Sequence, residues 1–145
     1  YKASNIMMRS SIENFAKLII VSNENELPIN RKVSKLLDLG KDSLNNPDLY
    51  PEYDKIRLIY SELCEFVHTN EEINMQLADS LGFFPHFKSN LADQTVDTAS
   101  NLIRHYLYII SVKYKPLIVK LHHRDFDGVM ESLSKTQARY LMSNE

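Results

Sequence analysis

The chain has 145 residues and a mass of 16.9 kDa, which corresponds to a folded surface of about 7,700 Å² against roughly 24,500 Å² unfolded, enough for one core and not two. With 43% hydrophobic and 25% charged residues it lies at the globular average, which excludes a mostly disordered, collagen-like or low-complexity chain. A net charge of -2 and a pI near 6.2 remove any global electrostatic drive toward DNA or anionic lipid, so nucleic-acid contact would need a local basic patch.

The single cysteine, Cys64, can form neither an internal disulfide nor a zinc knuckle, and a reducing cytoplasmic setting is the economical expectation. No apolar run reaches the roughly 18 residues that a bilayer span requires, and no signal-peptide pattern opens the chain. The chain begins at Tyr1 rather than methionine and is expected to be a domain cut from something longer.

Only three glycines (Gly40, Gly82, Gly128) and five prolines punctuate stretches in which apolar residues recur at helical spacing, so the chain reads as all-α. A first helix is predicted over about residues 4 to 21, with Met8, Ile12, Phe15, Ala16 and Ile19 on one face and Asn23 to Asn25 ending it. A second opens near Pro28 and carries Val33, Leu36 and Leu37 toward Gly40. Asn45-Asn46-Pro47 and Tyr50-Pro51 follow as a rigid turn region. A third helix, about 52 to 68, places Ile56, Ile59, Tyr60, Leu63, Cys64 and Val67 at i, i+3, i+4, i+7 spacing. From Thr69 to Lys88 a short helix through Ile73, Leu77 and Leu81 leads into an ordered loop with the aromatic cluster Phe83-Phe84-Pro85-His86-Phe87. The longest periodic segment runs from about Asp93 to His122, with Val96, Ala99, Leu102, Ile103, Tyr106, Leu107 and Ile110 as its stripe and a kink at Pro116. A final helix carries Phe126, Val129, Met130, Leu133 and Tyr140. There is no internal repeat or second composition regime, so residues 1–145 are expected to form a single all-α domain, a bundle of about five main helices.

At 100° per residue the third helix gathers Asp54, Arg57, Ser61, Glu65 and His68 into one polar stripe. One reading is a solvated face whose terminal histidine favours the negative helix C-terminus. The other is a general acid/base, since imidazole titrates near neutrality and Glu65 one turn earlier would orient it. Arg57 shares that face about three turns away, near 16 Å by helical rise. On the first helix, Arg9 and Glu13 form an i, i+4 pair at the edge of the apolar stripe. They are either a surface pair or a pair held inward to bond the His68 end of the third helix.

Glu65-x-x-His68 matches half of the di-iron carboxylate signature, but no second such motif occurs, and the adjacent His122 and His123 point about 100° apart. His86 is expected in an aromatic plug over a bundle end, and His105 on a helix face. Nucleophile elbows, P-loops, dinucleotide fingerprints and paired Cys-x-x-Cys motifs are absent. Lys113, Lys115, Lys120, His122, His123 and Arg124 cluster near the end of the long segment, either as a solvated face or as a contact for phosphates.

Met8-Arg9-Ser10-Ser11-Ile12-Glu13 and Tyr60-Ser61-Glu62-Leu63-Cys64-Glu65-Phe66-Val67-His68-Thr69-Asn70 together resemble prokaryotic helical proteins of the HEPN-like kind. In those, an arginine-and-glutamate helix packs near a helix ending in tyrosine, a small residue, glutamate and histidine followed by asparagine. The resemblance spans roughly residues 4 to 115 and implies an α-helical bundle, often dimeric, associated with antiviral defence, toxin-antitoxin pairs or RNA cleavage. Active HEPN ribonucleases carry arginine, four to six residues, then histidine, and cleave RNA without metal across a dimer. This chain departs from that pattern: Arg57 stands eleven residues before His68, and Ser61, Glu62 and Leu63 occupy the positions an arginine should hold.

Two functions follow from the resemblance. In a metal-independent ribonuclease, His68 would be the general acid/base, Arg9 would steady the phosphate, and Glu13 and Glu65 would orient them. In a non-catalytic interaction or dimerisation module, the same residues would clasp the first and third helices together. The incomplete motif and the acidic balance favour the module. No cofactor or metal is implied; the partners expected are a second copy of the chain and an RNA or protein, with no membrane.

Overall fold

A computed structural model describes the backbone of residues 2–23, 32–79 and 89–143, and the side chains of these except residues 2 and 66–79. Seven α-helices and one 3₁₀ turn, with no strand, make up the described residues. Among them, no helix is long and apolar enough to cross a membrane.

Helix α1 (Lys2–Val21) buries Met8, Ile12, Phe15, Ala16 and Ile19, the stripe that its 3.6-residue period marks as the core face. It closes in a turn at Ser22 and Asn23, where the Ser22 hydroxyl and amide cap the carbonyls of Ile19 and Leu18 at 2.8 and 2.9 Å. Helix α2 (Val33–Asp42) follows. Lys32 before it is extended (ψ 140°), so the helix starts at Val33 and not near Pro28, which lies outside the described residues. Its exit passes through Asn45 at φ 53°, a left-handed conformation that asparagine tolerates. Asn46 Oδ1 then accepts from the amide of Asp48 at 3.0 Å and caps the 3₁₀ turn Pro47–Leu49. That turn runs directly into α3, whose first two residues are Tyr50 and Pro51, so these residues open the helix rather than extend the turn. Proline is tolerated there because the first amides of a helix have no intrahelical partner.

Helix α3 (Tyr50–Asp79) is thirty residues long, the longest among the described residues, and runs past its predicted end at 68. No glycine or proline occurs between Pro51 and Gly82, so nothing ends the helix where the apolar period weakens, and residues 69–79 continue α3 rather than form a short helix of their own. The predicted aromatic plug, Phe83 to Phe87 with His86, lies outside the described residues.

Helix α4 (Ser89–Lys113) breaks at Tyr114 and resumes as the single turn α5 (Lys115–Ile118). Pro116 has no amide to donate four residues back, so the expected kinked helix is instead interrupted and turns a corner. The expected final helix is two, α6 (His123–Ser132) and α7 (Lys135–Ser143). The separation comes from Ser134: its Oγ accepts from the amide of Gln137 at 3.3 Å, and its own amide donates to Gln137 Oε1 at 3.0 Å. This reciprocal capping box starts a new helix within a continuous apolar pattern.

Helices α1 and α4 run in the same direction. Asn5, Leu91 and Thr95 line one small pocket near their N-terminal ends, Ser11 bonds Tyr106 at 3.2 Å, and Lys113 bonds Asn23 at 2.6 Å. Helix α3 runs antiparallel to both, since Leu63 shares the pocket with Asn5 and Thr95 near their N-terminal ends while Glu52, three turns earlier, meets His105. Helix α2 lies across α1 and α3, tied to α3 by Lys41–Asp54 and Arg57–Asp38 ion pairs at 2.7 Å. The predicted polar stripe of α3 is therefore partly engaged by α2 rather than wholly solvated. The core so enclosed includes Ile12, Ile19, Ile20, Leu49, Tyr53, Ile56 and Ile109, each at most 1% exposed.

Candidate functional site

The first group of polar residues joins α1 to α3. The Tyr60 hydroxyl donates to Glu13 Oε1 at 3.1 Å, and the Arg9 guanidinium lies over the Tyr60 ring with Cζ 5.6 Å from its centroid. All three residues are half-buried, as expected for a charge pair at the margin of an apolar stripe, one turn apart on α1 and facing the adjoining helix. Hydrogen bonding to Tyr60 holds the Arg9 guanidinium above its ordinary range against the opposing effect of burial, so it is always a cation. Burial pushes the Tyr60 phenol up, and the neighbouring Glu13 carboxylate adds to this. Arg9 Nε is buried without a hydrogen-bond partner among the described residues. Of the residues singled out from the sequence, Arg9 and Glu13 thus meet on Tyr60. Glu65 lies further along α3 and is exposed. His68 lies on the helical backbone of α3, and its side chain is outside the described residues.

The second group was not visible in the sequence. Glu52, in the first turn of α3, is buried, with 8% of its side chain exposed. Its Oε1 takes hydrogen bonds from His105 Nδ1 at 2.6 Å and from Gln137 Nε2, and its Oε2 takes one from Lys55 Nζ at 2.9 Å. His105 is therefore no helix-face residue. It turns into the α3–α4 interface, with only 15% of its side chain exposed. Gln137 caps α7 with one end of its amide and grips Glu52 with the other, so the last helix is held through the same carboxylate. Beside this network opens a cleft of about 400 Å³ between the 3₁₀ turn, α3, α4 and α7, lined among others by Asp48, Lys55, Tyr108, Ser134 and Tyr140. Tyr140 donates to Asp48 Oδ2 at 2.7 Å and meets the Tyr108 ring edge-on at 6.2 Å. Burial pushes the Tyr108 phenol up to about 12, so it stays a neutral donor.

The spacing Ser134-x-x-Gln137 is a legible capping box that marks the start of α7 but not the grip of Gln137 on Glu52. The pairing of Glu52 with His105 joins residues 53 positions apart and leaves no mark in a local pattern. No group of three metal-ligating side chains occurs among the described residues. No family model matches the chain, and neither a curated protein nor a solved structure does.

Burial raises the Glu52 carboxyl, but hydrogen bonds and charge from Lys55 and His105 together outweigh it and hold the group below the usual carboxylate range. A carboxyl depressed in the folded state stabilises the fold above the unfolded glutamate value of about 4.3, and that contribution is lost as pH falls through the folded value. The urea midpoint is accordingly expected to stay level from neutral pH to about 5 and to drop below it, with a shallower drop in Glu52→Gln. Equal acid slopes in the two proteins would count against Glu52 as a source of the acid sensitivity.

Proposed function

We propose that this chain is a HEPN-like helical module that acts without catalysis, by pairing with a second copy of itself in a bacterial defence or stress system. The family and its setting rest on the sequence resemblance. The observation that carries the pairing is an uncovered apolar face on α1 and α4. On α4 the buried residues are Leu102, Tyr108, Ile109 and Ser111, whereas Val96 and Ile103, expected in the core stripe, are 62% and 56% exposed. On α1, Met7 and Leu18 are likewise more than half exposed.

Met7 and Leu18 lie about 20° apart on α1, as do Val96 and Ile103 on α4. Because the two helices run the same way and touch through Ser11, Phe15 and Tyr106, these four side chains flank one groove on the side away from the core. Asn14 and Ser100 beside them are uncharged, Asp93 stands exposed at the edge one turn before Val96, and Lys17, Asp97 and Arg104 are about a quarter turn away. A face whose centre is uncharged can meet its own copy about a two-fold axis with charge confined to its edge. Met7 to Leu18 spans about 17 Å of α1 and Val96 to Ile103 about 11 Å of α4, so these side chains form the apolar centre of a pairing surface, and its rim supplies the rest of the roughly 800 Å² per partner of a standard interface. Arg9 and Glu13, engaged with Tyr60, suit a role in joining helices better than one in attacking RNA.

Light scattering across a concentration series is expected to give a dimer for the wild type and a monomer for Leu18→Asp combined with Ile103→Asp, with the helical circular dichroism kept. A wild type that stays monomeric throughout would overturn the pairing. Metal-free cleavage of end-labelled RNA by the wild type, abolished in His68→Ala, would overturn its non-catalytic character.

A further inference from the structure

The cleft between the 3₁₀ turn, α3, α4 and α7 is lined by polar groups whose partners can be followed one by one. Its charged lining residues, among those described, are Asp48, Glu52 and Lys55. Glu52 is closed as an acceptor, since His105 and Gln137 take its Oε1 and Lys55 its Oε2. Lys55 is committed to Glu52 as an ion pair. Asp48 is different: its Oδ2 accepts from Tyr140, while its Oδ1 has no partner among the described residues. The lining thus carries one carboxylate more than it has cations, and that carboxylate is open on one oxygen.

Tyr108 is the second open group. Its residue surface is only 7% exposed, yet it lines the cleft, and its hydroxyl makes no hydrogen bond among the described residues. A hydroxyl so deeply set costs free energy unless something that enters the cleft meets it. Tyr140, Glu52 and Asp48 all oppose its ionisation after burial does, so the potential around it is negative. Charges just outside the lining are directed elsewhere. Asp54 pairs with Lys41 and Arg104 donates to Asn101. Lys135 and Arg139 stand more than a quarter turn from the side of α7 that carries Thr136, Gln137 and Tyr140.

We propose that this cleft binds a small primary amine, its ammonium donating to Asp48 Oδ1 and to the Tyr108 hydroxyl oxygen, and its carbon body lying along Pro51 and the Tyr108 and Tyr140 rings. An ammonium has three donors and no acceptor, which suits two open oxygens, and the neighbouring aromatic rings add to its attraction. An anion would be set against Asp48, with the one lining cation already held by Glu52. A metal ion needs several open oxygens; Glu52 has none left, and no group of three metal-ligating side chains occurs among the described residues. A volume of about 400 Å³ is that of a small-molecule site. Tyr108 lies about 120° or more round α4 from Val96 and Ile103, so the proposal stands apart from the pairing argued above.

The test is isothermal titration calorimetry of the intact protein at neutral pH with n-butylamine, phenethylamine and tyramine, each beside the alcohol and the carboxylate of the same skeleton. At least one amine is expected to bind at millimolar concentration or below and to raise the melting temperature, with its alcohol and carboxylate weaker by about tenfold or more. Asp48→Asn, at an exposed residue, removes the charge but keeps an acceptor for Tyr140. Binding of the amine should fall about tenfold or more in this variant and severalfold in Tyr108→Phe, with circular dichroism unchanged in both. Three results would overturn the proposal: no amine bound at millimolar concentration, an alcohol bound as tightly as its amine, or binding indifferent to Asp48→Asn. A carboxylate preferred over its amine would overturn it too, and would assign the cleft to anions at the start of α7.

Discussion

Glu52→Ala is expected to lower the unfolding free energy by about 3 kcal/mol, the scale on which removing one partner of a buried, hydrogen-bonded ion pair destabilises a fold. The substitution removes the common acceptor of His105, Gln137 and Lys55. Lys55 is more than half exposed and returns to water at little cost. Gln137 is buried and His105 mostly so, with 15% of its side chain exposed, and both are left with donors that water reaches poorly, which is where most of the loss arises. For a chain of this length the change corresponds to a melting temperature about 10 °C lower. Glu52→Gln, which keeps an acceptor oxygen of the same shape, should lose less than half as much. Because Gln137 also caps α7, amide exchange in residues 135–143 of Glu52→Ala should rise more than in α1. A loss below about 1 kcal/mol in chemical unfolding would show that the network is incidental to stability.

The second large effect lies where α2 crosses α1 and α3. Gly40 is buried in α2, and a Cβ placed there would collide with the Tyr53 hydroxyl and come within 3.1 Å of Ala16 Cβ. Helix propensity alone predicts that Gly40→Ala stabilises by about 1 kcal/mol. Overpacking against a fully buried tyrosine opposes this with about 1–3 kcal/mol, and since Tyr53 is 0% exposed and cannot swing away, the collision wins. Gly40→Ala is therefore expected to destabilise by about 1–2 kcal/mol. The Tyr53 hydroxyl has no hydrogen-bond partner among the described residues, so Tyr53→Phe alone should be neutral or stabilising by up to about 1 kcal/mol. Combined with Gly40→Ala it removes the colliding atom, and the double variant should recover most of the loss. A double-mutant cycle read by urea unfolding measures this coupling. Additive effects would mean that the close approach of Gly40 and Tyr53 is not what demands glycine.

Helices α1 and α4 show how far the sequence can be read. The α1 stripe Met8, Ile12, Phe15, Ala16 and Ile19 is buried as its period required, and Arg9 with Glu13 sits half-buried at its edge. On α4 the same rule marked Val96 and Ile103 as core, and both are exposed. The period is present in both helices; what differs is whether another element covers the apolar face. The extension of α3 through Asp79 was legible in the absence of any breaker between Pro51 and Gly82. The split at Ser134 is equally legible in Ser134-x-x-Gln137, a helix-start signal that lies within a continuous apolar pattern.

By itself, then, the sequence determined that the chain is helical, where its strongest apolar stripes lie, and where proline and capping residues interrupt them. These properties depend on neighbours within a turn or two, which a linear pattern records. Only the tertiary structure decided that Tyr60 stands between Arg9 and Glu13, that His105 turns inward to Glu52, and that the α1–α4 face stays uncovered. Each of these joins or leaves apart residues distant in the chain. Such a contact is set by how whole helices cross and which of their faces meet, and no local period encodes it.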